Sequence, residues 1–260
     1  MHRRSQDPRN ATHAVPGLRG RQVIAATPED AARALADHVV KHLARCLEDA
    51  PTAHLALSGG SSGALVCDAL AASQGLDSWA WARVHVWMVD ERCVPDDDPR
   101  LNFALVRDRL APRVGIPSDH LHPMPVALAD GASRYQHDLD VALSATAGRL
   151  DAVVLGMGAD GHTASLFPHS PALAETARLV TTNDGDTVAA PRPRMTLTFP
   201  TLGRARLLAV LVAGASKSRA MGALIAGAAD PLSLPIAGVT PGPDAELVWY
   251  LDQAALPPVG

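Results

Sequence analysis

The 260-residue sequence predicts an α/β protein with a largely parallel sheet covered by helices on both faces, and three observations predict it. Short, almost wholly apolar runs recur at residues 54–57, 84–89, 151–155, 207–212 and 246–250. Strands buried on both faces read this way, whereas a sheet with one wet face would alternate apolar with polar. Helix-forming stretches separate the runs, as the long crossovers of parallel pairing require. Four of the runs lead directly into a polar or glycine-rich motif, at 58–63, 90–92, 156–162 and 213–217. In an open α/β sheet ligands bind outside the carboxyl ends of the strands. The four motifs are therefore expected to converge on one edge.

From Gln22 onward strand and helix alternate. Thr27-Pro28-Glu29-Asp30 opens a helix, with Thr27 as N-cap, proline in the first turn and two acids against the positive helix end; it runs to about residue 49. The strand at 54–57 leads through Ser58-Gly59-Gly60-Ser61-Ser62-Gly63 into a helix at 64–72. The strand at 84–89 ends in Asp90-Glu91-Arg92, followed by a Pro/Asp-rich loop and a helix from Asn102. The strand at 151–155 opens into Gly156-Met-Gly158-Ala-Asp160-Gly161-His162. The strand at 207–212 passes through Gly214 into a helix containing Lys217, and the strand at 246–250 precedes a short tail. No repeat or low-complexity linker interrupts the series, so residues 22–260 are expected to form one domain.

Residues 1–21 carry five arginines and two prolines without an apolar stretch, which reads as a disordered tail rather than a secretory signal. No segment approaches the roughly 18 consecutive apolar residues of a membrane span. The net charge of −4 supplies no basic field, which argues against nucleic acid as a partner. Cys46, Cys67 and Cys93 show neither disulfide nor metal spacing, so a reducing, cytoplasmic setting is expected. The core is aliphatic, since the chain holds only three Phe, two Tyr and four Trp.

His162 is the expected general base, because imidazole alone takes and returns a proton near neutral pH without a shifted pKa, and Asp160 stands two residues away either to orient or polarise it or to hold the water. The same run matches G-x-G-x-x-G, but a dinucleotide site needs a long helix at the glycines, and Pro168 limits any helix there to about two turns. Asp160, His162 and His169 match no common zinc spacing, so no metal and no cofactor are expected. Gly59, Gly60 and Ser61, at a helix start, offer backbone N–H groups and a hydroxyl to a phosphate, without the Gly-Lys-Ser/Thr ending of a nucleotide loop. Arg92 and Lys217 are candidate cations for that phosphate. Asp90 and Glu91, adjacent at a strand end, point in opposite directions, so one faces the site and the other fixes Arg92. Cys93 reads as a small loop residue, with nothing local to activate its thiol.

Together, Leu57-Ser-Gly-Gly-Ser61, Val89-Asp-Glu-Arg-Cys-Val-Pro95, residues 155–168 (LGMGADGHTASLFP), Arg194-Met-Thr-Leu-Thr198 and Gly214-Ala-Ser-Lys217 resemble the 6-phosphogluconolactonase family. The resemblance covers about residues 22–255 and its Asp-Gly-His-Thr-Ala-Ser-Leu-Phe-Pro block is highly specific. It implies a Rossmann-like fold shared with sugar-phosphate isomerases. It also implies cofactor-free hydrolysis of 6-phospho-D-glucono-1,5-lactone, the second step of the oxidative pentose phosphate pathway. The chain departs from the family at Gly59-Gly-Ser-Ser-Gly63, which lacks the usual Thr-Pro, and at Leu101-Asn102, usually Ser-Asn. In this reading His162 and Asp160 are catalytic, Ser61, Arg92, Arg194 and Lys217 hold the phosphate and sugar hydroxyls, and either amides of the loop at 156–161, such as those of Gly158 and Gly161, or a cation meets the oxyanion. The alternatives are a glucosamine-6-phosphate deaminase or isomerase and a non-catalytic sugar-phosphate-binding module. The expected partner is the phosphorylated lactone, and the expected assembly a monomer or weak homodimer.

Overall fold

The structure, a computed structural model, describes residues 15–227 and 229–258. Ten strands occur among them: β1 (Arg21–Ala25), β2 (Ala53–Leu57), β3 (Val84–Met88), β4 (Asp90–Arg92), β5 (Leu121–His122), β6 (Ala152–Gly156), β7 (Val180–Asn183), β8 (Arg194–Leu197), β9 (Leu207–Val212) and β10 (Glu246–Asp252). Seven of them form one parallel sheet in the order β1-β10-β9-β6-β2-β3-β5. Every residue of β2 and β9 is buried, which explains why these strands read as unbroken apolar runs.

Helix α1 (Pro28–Asp49) packs along the sheet. Ala32, Leu35, Ala36, Val39, Val40, Leu43 and Leu47 recur at three- and four-residue spacing and are all buried. The Thr27 hydroxyl accepts from the Asp30 amide at 3.1 Å, closing the expected N-cap. Truncating a side chain as completely buried as Leu43 costs about 2–5 kcal/mol in such a core.

The order of strands places the ligand site. After β2 the chain builds outward through β3 to β5, then returns to β6 on the other side of β2 and builds outward again through β9 and β10. The carboxyl ends of β2 and β6 thus flank a topological switch point, where the loops following neighbouring strands part and leave a crevice.

The structure revises four expectations. Leu18 is buried, and Gln22 donates from Nε2 to its carbonyl at 2.7 Å, so packed chain begins before residue 22; residues 1–14 lie outside the described residues. The helix expected at 64–72 is α2 (Gly60–Ala72), because Gly60 at φ +72° starts the turn earlier. Residues 90–92 are a strand rather than a loop: β4 pairs antiparallel with β8, and β8 with β7, in a second sheet that apolar periodicity did not reveal. Lys217 ends a short 3-10 turn (Ala215–Lys217), and the helix proper follows it (Ser218–Ile225).

Candidate active site

A cavity of about 330 Å³ opens over the carboxyl ends of β2 and β6. Each of the four motifs contributes to its wall: Gly59, Gly60 and Ser61 from the first, Arg92 from the second, Gly158 and His162 from the third and Lys217 from the fourth, with Arg194 added from β8. Asp160 touches the cavity through His162. Gly161 is not in the wall.

His162 Nδ1 lies 2.6 Å from Asp160 Oδ1, and its amide donates to the same oxygen at 3.1 Å. A carboxylate on Nδ1 fixes the tautomer with the proton there and leaves the Nε2 lone pair as the basic atom. Burial pushes the Asp160 carboxyl up, but hydrogen bonds and charge from His162 outweigh it and hold the group below the ordinary aspartate value. Asp160 therefore stays ionised while it orients the ring. The imidazole leans on the Phe167 ring at a centroid distance of 4.5 Å, which sets its second face.

The segment following His162 is stapled at each step. Thr163 donates to the Gly156 carbonyl at 2.8 Å, and Ser165 donates from Oγ to Asp90 Oδ2 at 2.6 Å. The Ser165 amide meets Thr196 Oγ1, and Asn183 Nδ2 donates to the Ser165 carbonyl at 2.7 Å. Ala164 takes a left-handed φ of +51° between these anchors, a conformation that costs a non-glycine residue about 1 kcal/mol or more and persists because its neighbours are over-determined. The run 160–168 is thus tied to β4, β7 and β8, which explains how residues distant in sequence reach one wall.

The amides expected to meet an oxyanion are already committed. Gly158 donates to the His162 carbonyl at 2.8 Å and Gly161 to the Gly158 carbonyl at 3.1 Å. They hold the loop's shape, and a glycine-rich loop that folds back on itself consumes the donors its sequence advertises.

The cationic wall is built across strands. In the β4–β8 ladder Arg92 stands directly opposite Arg194, a like-charge pairing that destabilises a bare sheet and favours an anion between or above the two. Arg194 is buried and donates to the carbonyls of Pro191 and Ala189 at 2.6 and 3.1 Å; burial, followed by the charge of Arg92, pushes its pKa down. Arg92 donates to the Arg100 carbonyl at 2.9 Å and to Asn102 Oδ1, while its buried Nε has no partner among the described residues. Neither arginine forms an ion pair with a carboxylate among the described residues. At the facing wall, α2 begins with no acidic residue in its first turn and no side-chain cap, so its amide end is directed at the cavity. Gly59 must be glycine, since a Cβ there would collide with the Asn102 side chain.

Ser58 and Asn102 also line the cavity, and sequence reasoning gave neither a role. The Ser58 hydroxyl is buried without a partner, a signal that exists only in three dimensions. Cys93 is ordinary, because burial and then the charge of Glu91 push its thiol up and away from nucleophilic character.

Residues 26–249 match the family model described as glucosamine-6-phosphate isomerases/6-phosphogluconolactonase. A 6-phosphogluconolactonase of Synechocystis is 40% identical over 223 residues, covering 84% of this chain and 89% of the relative. The rabbit (Oryctolagus cuniculus) GDH/6PGL endoplasmic bifunctional protein is 36% identical over 258 residues; the match takes in 95% of this chain and spans about a third, 32%, of that longer protein. Among solved structures, 6-phosphogluconolactonase from Trypanosoma brucei superimposes with a TM-score of 0.76 at 25% identity, over 92% of this chain and 98% of that one.

Proposed function

The chain belongs to the glucosamine-6-phosphate isomerase/6-phosphogluconolactonase family, and from that premise we propose that it hydrolyses 6-phospho-D-glucono-1,5-lactone with His162 as general base. The observation that carries this reading is the His162–Asp160 dyad facing a paired-arginine wall inside one cavity. A lactone needs a base near water at one end of the site and, when phosphorylated, an anion cradle at the other.

Nε2 of His162 takes a proton from water as the water oxygen attacks the lactone carbonyl carbon. The carbonyl oxygen becomes an oxyanion in the tetrahedral intermediate. As that collapses, the bond from carbon to ring oxygen breaks and the imidazolium returns the proton to the departing oxygen. Asp160 remains ionised, stabilising the transient imidazolium through Nδ1. With the Gly158 and Gly161 amides committed to the loop, stabilisation of the oxyanion falls to the cationic side chains of the wall, Lys217 among them. Arg92, Arg194, Ser61 and the amide end of α2 hold the phosphate, and binding this remote group positions the ring.

Among the described residues no helix is long and apolar enough to cross a membrane. The three unpaired cysteines support a reducing, cytoplasmic compartment.

Stopped-flow hydrolysis of freshly generated 6-phosphogluconolactone tests the proposal. Acceleration over spontaneous opening that vanishes in His162→Ala and falls sharply on unphosphorylated gluconolactone is the expected result. No acceleration by the wild-type protein on either lactone would sink it, and ammonia release from glucosamine 6-phosphate would then favour the isomerase branch of the family.

A further inference from the structure

We propose that Glu91 is a positioning residue for phosphate recognition: its buried carboxylate takes over the helix cap from Asn102, leaving the Asn102 side chain to aim Arg92 into the cavity. The inference rests on the reading of Arg92 as a phosphate ligand.

Glu91 is 1% exposed, and its carboxylate accepts three backbone amides at 2.8 Å each: Arg92 and Asn102 at Oε1 and Phe103 at Oε2. Arg92 lies at one end of the Pro/Asp-rich loop, and Asn102 and Phe103 lie at the other, so a single carboxylate closes the loop. The helical segment that follows begins at Phe103, and Asn102 occupies its N-cap position. Asparagine is among the best N-cap residues because its side-chain oxygen can accept a first-turn amide. Here it makes no such bond. Glu91 supplies that acceptor instead, and the Asn102 amide group turns the other way: Nδ2 donates to the Asp90 carbonyl at 2.9 Å and to Asp90 Oδ1 at 3.3 Å, while Oδ1 accepts from Arg92 Nη1.

This arrangement constrains Arg92 from two sides, by Asn102 Oδ1 and by the Arg100 carbonyl, with both acceptors carried on the loop that Glu91 closes. Arg92 lines the cavity, so the side chain held in this way stands in the wall where an anion would bind. The same Asn102 side chain stands against Gly59 of the phosphate loop, so the carboxylate also sets the spacing between the arginine wall and the glycine loop. A carboxylate serving only as a structural cap would leave none of this directed at the cavity.

The test is a double-mutant cycle read as the ratio of KM for phosphorylated to unphosphorylated gluconolactone. Arg92→Ala, the reference, raises that ratio. Glu91→Gln places a carboxamide NH2 donor where the carboxylate accepted the Phe103 amide, and is expected to raise the ratio roughly 10-fold, the worth of one charge-assisted contact. In the Arg92→Ala background it adds nothing further. Equal loss on both lactones, or full additivity with Arg92→Ala, overturns the proposal and leaves Glu91 as a loop closure alone. If Arg92→Ala itself leaves the ratio unmoved, the phosphate role of Arg92 fails first and the proposal falls with it, a distinguishable result. If Glu91→Gln does not fold, Asn102→Ala cuts the same link without disturbing the buried carboxylate and is read by the same two outcomes.

Discussion

At the carboxyl edge of the central sheet His162 stands 31% exposed, with a carboxylate on Nδ1 and its other nitrogen toward a cavity, whereas four histidines stack toward the amino edge. Of these four, His85 Nδ1 is hydrogen-bonded to His122 Nε2 at 2.9 Å, and the His85 and His120 rings lie 3.9 Å apart. His122 lies flat on Trp87 at 3.7 Å, and Trp87 donates to His54 Nδ1 at 3.2 Å. Burial, followed by the charge of neighbouring histidines, lowers His85 and His122 to about 4. The same residue type is thus the proposed base at one edge and a packing group at the other. What separates them is the surroundings: His162 has a carboxylate on Nδ1 and lines a cavity, whereas burial, and after it the charge of neighbouring imidazoles, disfavours the charged form of His85 and His122.

Replacement at the two edges sharpens this contrast. His162→Ala is expected to lose about 10²- to 10⁴-fold in kcat while product binding, followed by calorimetry, persists. A variant retaining near-normal turnover would dissolve the distinction. Asp160→Asn keeps a partner for Nδ1 but removes its charge. A charge-assisted hydrogen bond is worth about 1.5–3 kcal/mol, so turnover should fall roughly 10- to 100-fold. His122→Phe keeps the stack on Trp87 but deprives His85 of its hydrogen bond; kcat should hold while thermal denaturation shifts down by about 2–4 °C. A loss of turnover rivalling that of Asp160→Asn would show that the amino-edge cluster reaches the chemistry.

The smallest effect is pH-dependent. Well above pH 6.5 His85 and His122 are neutral in both folded and unfolded chains and contribute no pH dependence to stability. Below 6.5 the unfolded chain takes up protons that folded His85 and His122 refuse until about pH 4, so stability declines through that window and levels off beneath it. Urea denaturation midpoints between pH 7 and 4 measure the decline, which His85→Phe should flatten. An unchanged slope in that variant would place the acid sensitivity elsewhere.

The Asp160–His162 contact was legible in the sequence because it is local: the two lie two residues apart in a glycine-rich loop, and no fold could separate them widely. The parallel sheet was legible too, since β2, β6 and β9 are buried on both faces and their composition records it. The second sheet was not, because β4 has only three residues, all charged, and β8 has only four, of which Arg194 and Thr196 are not apolar. Their pairing depends on partners about a hundred residues apart. The expectation for the Gly158 and Gly161 amides failed for a related reason. Glycine signals available donors, but only the folded loop shows that they are spent on its own carbonyls.

The sequence by itself determined the fold class, the close pairing of Asp160 with His162, and the motifs that gather at the carboxyl edge, because local spacing and apolar patterning act within a few residues. The tertiary structure decided the rest: that Arg92 faces Arg194 across a ladder, that Glu91 rather than Asn102 caps the helix, and that Ser58 and Arg92 Nε are buried without partners among the described residues. Each of these depends on strand register or loop closure, where a one-residue slip turns every side chain to the opposite face and only the packing of the whole chain selects the register.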